Sequence, residues 1–137
     1  MRALIATLVW VSTCIAAPLA PDVKKDETYY SERLAQQIHG KAEHRLFDGS
    51  RVDIVTDTYA IEVDWAHKSL KWAEAIGQAR YYARVTGKRP GVVLLRRFSR
   101  DETERANIHK CIIAAGDDVR VWVVDIEDVE AGESRLR

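Results

Sequence analysis

The sequence predicts a single α/β domain whose mixed β-sheet is flanked by helices, in the order αβββαβαβ. Apolar residues recur at helical spacing in three separate stretches, and short extended runs lie between them. Three of those runs follow one another with only tight turns between, which makes them an antiparallel meander. With 137 residues, 47% hydrophobic and 31% charged, the chain has room for one core and an ordinary globular composition.

Each element has its own signal. From Asp26 to His39, Tyr30, Leu34 and Ile38 fall on one helical face and Gly40 supplies a stop. Three extended runs follow, Lys41 to Phe47, Arg51 to Thr56 and Tyr59 to Trp65. The first two are joined by Asp48-Gly49-Ser50 and the last two by Asp57-Thr58. Lys68 to Thr86 returns to helical periodicity, with Ser69 as a candidate N-cap and Gly87 as the terminator. Pro90-Gly91 introduces Val92 to Leu95, four apolar residues that fit a buried strand. Asp101 to Ala115 reads as a helix ended by Gly116, and Val119 to Val124 as a closing strand. The charged stretch from Glu127 to Arg137 is expected to fray.

Residues 1–17 read as a cleavable export signal, which would send the mature domain, residues 18–137, to the periplasm or the medium. Arg2 precedes the apolar run Ala3 to Val11, and Cys14-Ile15-Ala16-Ala17 offers small residues before Pro18. The run is too short for a stable membrane span, which needs about 20 residues. Removal of that segment would leave Cys111 as the only cysteine, within the apolar run Cys111 to Ala115, where a buried, inert thiol is expected.

Formal net charge is zero, so the chain as a whole has no field that would recruit a polyanion. The charges are nevertheless segregated. Every charged residue from Ala75 to Arg100 is basic, namely Arg80, Arg84, Lys88, Arg89, Arg96, Arg97 and Arg100, whereas Asp117 to Glu130 is acidic apart from Arg120. A basic face for phosphate is one reading and a solvated helix surface the other.

The residues that carry chemistry are acidic. Alternation places Asp53 opposite in sense to Val52 and Ile54, and on the next run Glu62 and Asp64 share one face. Carboxylates brought together on adjacent strands repel one another unless an ion or a proton sits between them, and oxygen ligands suit Mg²⁺. Trp65 and Trp72 fit core or rim packing, and neither His44 nor His67 has a partner visible in sequence. Zinc-ligand spacings, phosphate-cradling glycine loops and serine-nucleophile motifs are absent from the sequence.

An aspartate after a tight turn, then eight residues, then Glu-x-Asp closing the third strand and a helix, resembles the PD-(D/E)XK nuclease superfamily over about residues 26–125. The resemblance implies a restriction-endonuclease-like core with Asp53 and Glu62 as Mg²⁺ (or Mn²⁺) ligands and Glu43 as an additional ligand. Asp64 stands where the family has its catalytic lysine, so a cation from the following helix would have to replace it. Lys71, Gln78 and Tyr82 fall within roughly 20° of one line on a helix, and Lys68 lies about 60° away. Gln78 and Tyr82 also resemble the Gln-x-x-x-Tyr element of exonuclease-like branches. The implied activity is metal-dependent hydrolysis of nucleic acid, with DNA as the expected substrate and Arg80 and Arg84 on its phosphates. Small nucleases of this kind often pair, so a homodimer is carried as a candidate assembly. The competing reading is a noncatalytic module of the same fold that binds nucleic acid or a protein.

Overall fold

The computed structural model describes residues 24–98, 100–134 and 136. The expected export segment lies outside them. The elements are α1 (Glu27–Gln37), β1 (Lys41–Arg45), β2 (Arg51–Val55), β3 (Tyr59–Trp65), α2 (Lys71–Thr86), β4 (Arg89–Arg96), α3 (Glu102–Ala115), β5 (Arg120–Asp125) and α4 (Ile126–Ala131). The architecture is the α/β mixed sheet expected from the sequence. Five strands lie in the order β1-β2-β3-β4-β5; the first three run antiparallel and β3, β4 and β5 run parallel. None of the described helices is long and apolar enough to cross a membrane.

Two layers cover the sheet. On one face Tyr30, Leu34 and Ala35 of α1 and Val129 of α4 pack on Ile54, Ile61, Val63, Val93, Leu95, Trp122 and Val124. On the other, Ala75, Ile76 and Ala79 of α2 and Cys111 and Ala115 of α3 close over Val92 and Leu94. Because β4 is sandwiched between both layers, Val92 to Leu95 are all fully buried, as a continuous apolar run in a parallel sheet requires. Cys111 is fully buried, and desolvation pushes its thiol up to about 11, so it is inert. Trp65 makes an edge contact with Tyr30 in the first core, and Trp72 packs beside the second.

Several element ends depart from expectation. Pro90 and Gly91 lie inside β4 rather than before it, as register partners of Ala60 and Ile61, and a Cβ on Gly91 would stand 2.7 Å from the Trp122 ring. α2 begins at Lys71, and its N-cap is Leu70 in the left-handed region (φ 59°) rather than Ser69. The stretch after β5 is not frayed throughout, because Ile126–Ala131 forms α4. Tyr30 donates its hydroxyl to Glu130 at 2.8 Å and Gln37 donates to the Val129 carbonyl at 2.8 Å, fixing α4 to α1. Sequence alternation missed this segment because one short turn presents too few apolar residues to show a period.

Candidate functional site

The antiparallel ladder between β2 and β3 is short. Val55 pairs with Ala60 and Ile54 with Ile61, and pairing then stops. The next rung would hold Asp53 and Glu62. There the Asp53 carboxylate accepts a hydrogen bond from the main-chain N–H of Val63 at 2.8 Å, substituting a side chain for a strand partner. The strands part at this point: Val52 packs with Ala60 and Tyr82, while Ile54, only two residues on, packs under α1. On the other side of Asp53, the β1–β2 register places Glu43 directly opposite it, with φ at 53°, a left-handed conformation costly for a side chain of this kind. Glu43, Asp53 and Glu62 therefore form one transverse row across three strands, at the level where the sheet is least regular.

Electrostatics at this row are unfavourable without a positive charge. Burial, reinforced by the neighbouring Asp53 charge, raises Glu62 to about 9, and its Oε1 is buried without a hydrogen-bond partner. Burial also raises Asp53 to about 6, against the Val63 N–H, which lowers it. Asp64 is raised to about 6 chiefly by burial, while the Trp65 N–H, 2.7 Å from its Oδ1, acts in the opposite direction. At neutral pH the Glu62 carboxyl thus keeps its proton.

Glu27, the first residue of α1, was not singled out by sequence, where it reads only as an acidic residue beside a helix cap. Its charge acts on both Asp53 and Asp64, so with Asp64 it brings the acidic side chains in and beside the row to five, from four elements. Most are tied to other donors. Arg51 is ion-paired with Glu43 at 2.7 Å, though the buried Glu43 Oε2 accepts no hydrogen bond, Lys68 is ion-paired with Glu27, and Asp53 and Asp64 accept main-chain N–H groups. Among the described residues no three carboxylate, imidazole or thiol side chains converge as ready-made metal ligands. The donor set is all oxygen, and the orphaned Glu62 Oε1 is the atom a hard cation would satisfy, so these residues fit such an ion once their present partners are exchanged.

The candidate cations divide. Lys68 sits in the loop before α2, paired with Glu27 and close enough to Asp64 to lower its pKa. Lys71 instead turns to Glu74 at 2.7 Å on the exposed side, and that partner raises its pKa. Gln78 is half-buried on α2. Tyr82 is buried against Val52 and Ala60, and its hydroxyl is pushed up by burial and then by Glu62 and Asp53, which places it beside the row. Arg80 does not reach it: its guanidinium is fixed to Asp118 at 2.9 and 3.0 Å. Arg84 is exposed and shares a shallow groove with Arg80, Lys88 and Asp118 near the end of α2.

Much of the segregated charge is spent internally. Arg96 and Asp125, register partners on β4 and β5, form two hydrogen bonds at 2.6 and 2.8 Å, and Arg80 is committed to Asp118 as described. The basic and acidic stretches neutralise each other at these two points. His67, half-buried after β3, lies 3.9 Å from Glu104, a fully buried carboxylate that accepts the main-chain N–H groups of Arg97 and Phe98. Burial, followed by the Arg97 charge, lowers the His67 pKa.

No protein-family model, curated protein or solved structure matches this chain.

Proposed function

We propose that this protein is a metal-dependent phosphodiesterase acting on nucleic acid, with DNA as the expected substrate. The observation that carries the reading is the buried Glu62 carboxyl, unsatisfied at Oε1 and beside Asp53 at the point where β2 and β3 separate. A buried acid kept protonated by its neighbours is costly to maintain and clusters at functional sites. The resemblance of Asp53 and Glu62-x-Asp64 to a PD-(D/E)XK nuclease core gives that cost a purpose.

In this reading Asp53 and Glu62 hold Mg²⁺, with Glu43, Asp64 or Glu27 completing the oxygen shell. A bound divalent cation supplies positive charge for the phosphate and a more acidic water. The protein's own residues do the rest. Glu62 must give up its proton to become a ligand. Lys68, nearer Asp64 than the more exposed Lys71, counters charge developing on phosphate, and Tyr82 limits water behind the row. Asp64 in the family's lysine position favours a second reading, a noncatalytic module that binds nucleic acid or a protein through the same fold. Incubation of the purified protein with single-stranded and duplex DNA, in Mg²⁺ or in EDTA, separates the two. Cleavage only with metal, lost in Asp53→Asn and Glu62→Gln, supports the enzyme; binding without cleavage supports the module.

A further inference from the structure

The most exposed large apolar side chain among the described residues is Phe47, 92% accessible at the tip of the β1–β2 hairpin. Exposure alone says little, but this tip is held in place. Leu46 N–H donates to the Ser50 carbonyl at 2.9 Å and Gly49 N–H to the Leu46 carbonyl at 3.1 Å. Asp48 accepts both the Ser50 N–H at 2.9 Å and the Ser50 hydroxyl at 2.5 Å. Its other carboxylate oxygen accepts the hydroxyl of Tyr81, which anchors the tip to α2 one residue from Tyr82. The ring of Phe47 is therefore presented on a fixed support connected to the acidic row.

Below the tip, Arg45 and Arg51 are direct register partners, and like charges facing each other across strands are destabilising. Arg51 is answered by Glu43, whereas Arg45 is exposed and has no carboxylate within ion-pair distance among the described residues. An aromatic face with nothing stacked on it and an unanswered guanidinium at its base match the two parts of a nucleotide. Bases in a duplex already stack on one another, so free base faces belong to single strands.

We propose that the β1–β2 hairpin is a docking element for single-stranded nucleic acid, with Phe47 stacking on a base and Arg45 holding a backbone phosphate. This rests on the nucleic-acid reading above and adds the strandedness of the substrate. The hairpin directs the strand along β1 and β2 toward Glu43 and Asp53.

The test is fluorescence anisotropy with labelled oligothymidylate of about 16 nucleotides, in EDTA so that no hydrolysis intervenes. Phe47→Ala should weaken binding by at least about fivefold, Phe47→Trp should preserve it, and a blunt duplex of the same length should bind more weakly. Arg45→Ala should flatten the dependence of log affinity on log salt by about one contact. Because Phe47 supports no core contact, its variants are expected to fold, and circular dichroism verifies this. Equal affinity of wild type and Phe47→Ala, equal binding of duplex, or no binding of the oligonucleotide overturns the inference. The two proposals fail separately. Metal-dependent cleavage with a neutral Phe47→Ala removes only the hairpin role; Phe47-dependent binding without cleavage removes only the hydrolase.

Discussion

Replacing Glu62 by glutamine should make the metal-free protein more stable while removing metal-dependent cleavage. Burial and the Asp53 charge raise Glu62 from 4.5 to about 9, so the folded protein keeps a proton that the unfolded chain releases. A folded-state pKa above the unfolded one means that stability is highest below the unfolded value and is lost as pH rises toward the folded one. At roughly 1.4 kcal/mol for each pH step, this carboxyl has withdrawn about 3 kcal/mol by pH 7 and under about 1 kcal/mol at pH 5. Glutamine has no proton to lose, so Glu62→Gln should exceed wild type by about that margin at pH 7, on the order of 10 °C in melting temperature for a domain of this size. The gap should close near pH 5. Thermal melts in EDTA from pH 5 to 8, followed by circular dichroism, measure it. Parallel stability curves for the two proteins, or a variant less stable at pH 8, would refute the electrostatic account of the row. Added Mg²⁺ should raise the midpoint of wild type and leave that of Glu62→Gln nearly unchanged, since bound ligand stabilises only the state that holds it.

Three further outcomes are expected. In a protein that cleaves DNA, Lys68→Ala should slow the reaction at least about tenfold, or about 1.4 kcal/mol in the barrier, and Lys71→Ala should do less; single-turnover rates decide the order. Tyr30→Phe, which loses the hydroxyl bond to Glu130, should cost about 1 kcal/mol in urea unfolding, with no change if α4 does not hold α1. Sequencing the N-terminus of exported protein should begin near Ala17 or Pro18, and recovery of an intact Met1 end in the cytoplasm would remove the export reading.

What the sequence made legible follows from length and period. Both ends of β3 are legible because Tyr59 to Trp65 is bounded by a turn on one side and a change of pattern on the other. Asp26 and Asp101 mark helix starts through their own caps, each accepting a main-chain N–H three residues on. The start of α2 was misplaced because Leu70 adopts a left-handed cap that no propensity favours. At the site, Asp53 and Glu62 were legible as neighbours on adjacent strands. The position of Lys68 nearer Asp64 than Lys71 was not, since a helical wheel begun at Lys68 does not apply when α2 starts at Lys71. Glu27 was hidden for a different reason: its place beside Asp53 and Asp64 is set by how α1 lies across the sheet, a long-range fact that local pattern does not encode. The pairing of Arg80 with Asp118 was not legible, because that partner is distant in sequence.

The clasp between α1 and α4 joins the beginning of the described chain to its end. Gln37 both donates to Val129 and accepts the main-chain N–H of Ser134 at 3.1 Å, so the first helix is held by residues far along the chain. Contacts of such long sequence separation cost more loop-closure entropy to form than the local hairpin pairing of β1 and β2. Glu27 rides on that helix. A contact close to a hundred residues away along the chain therefore helps to set where the α1 member of the acidic row lies.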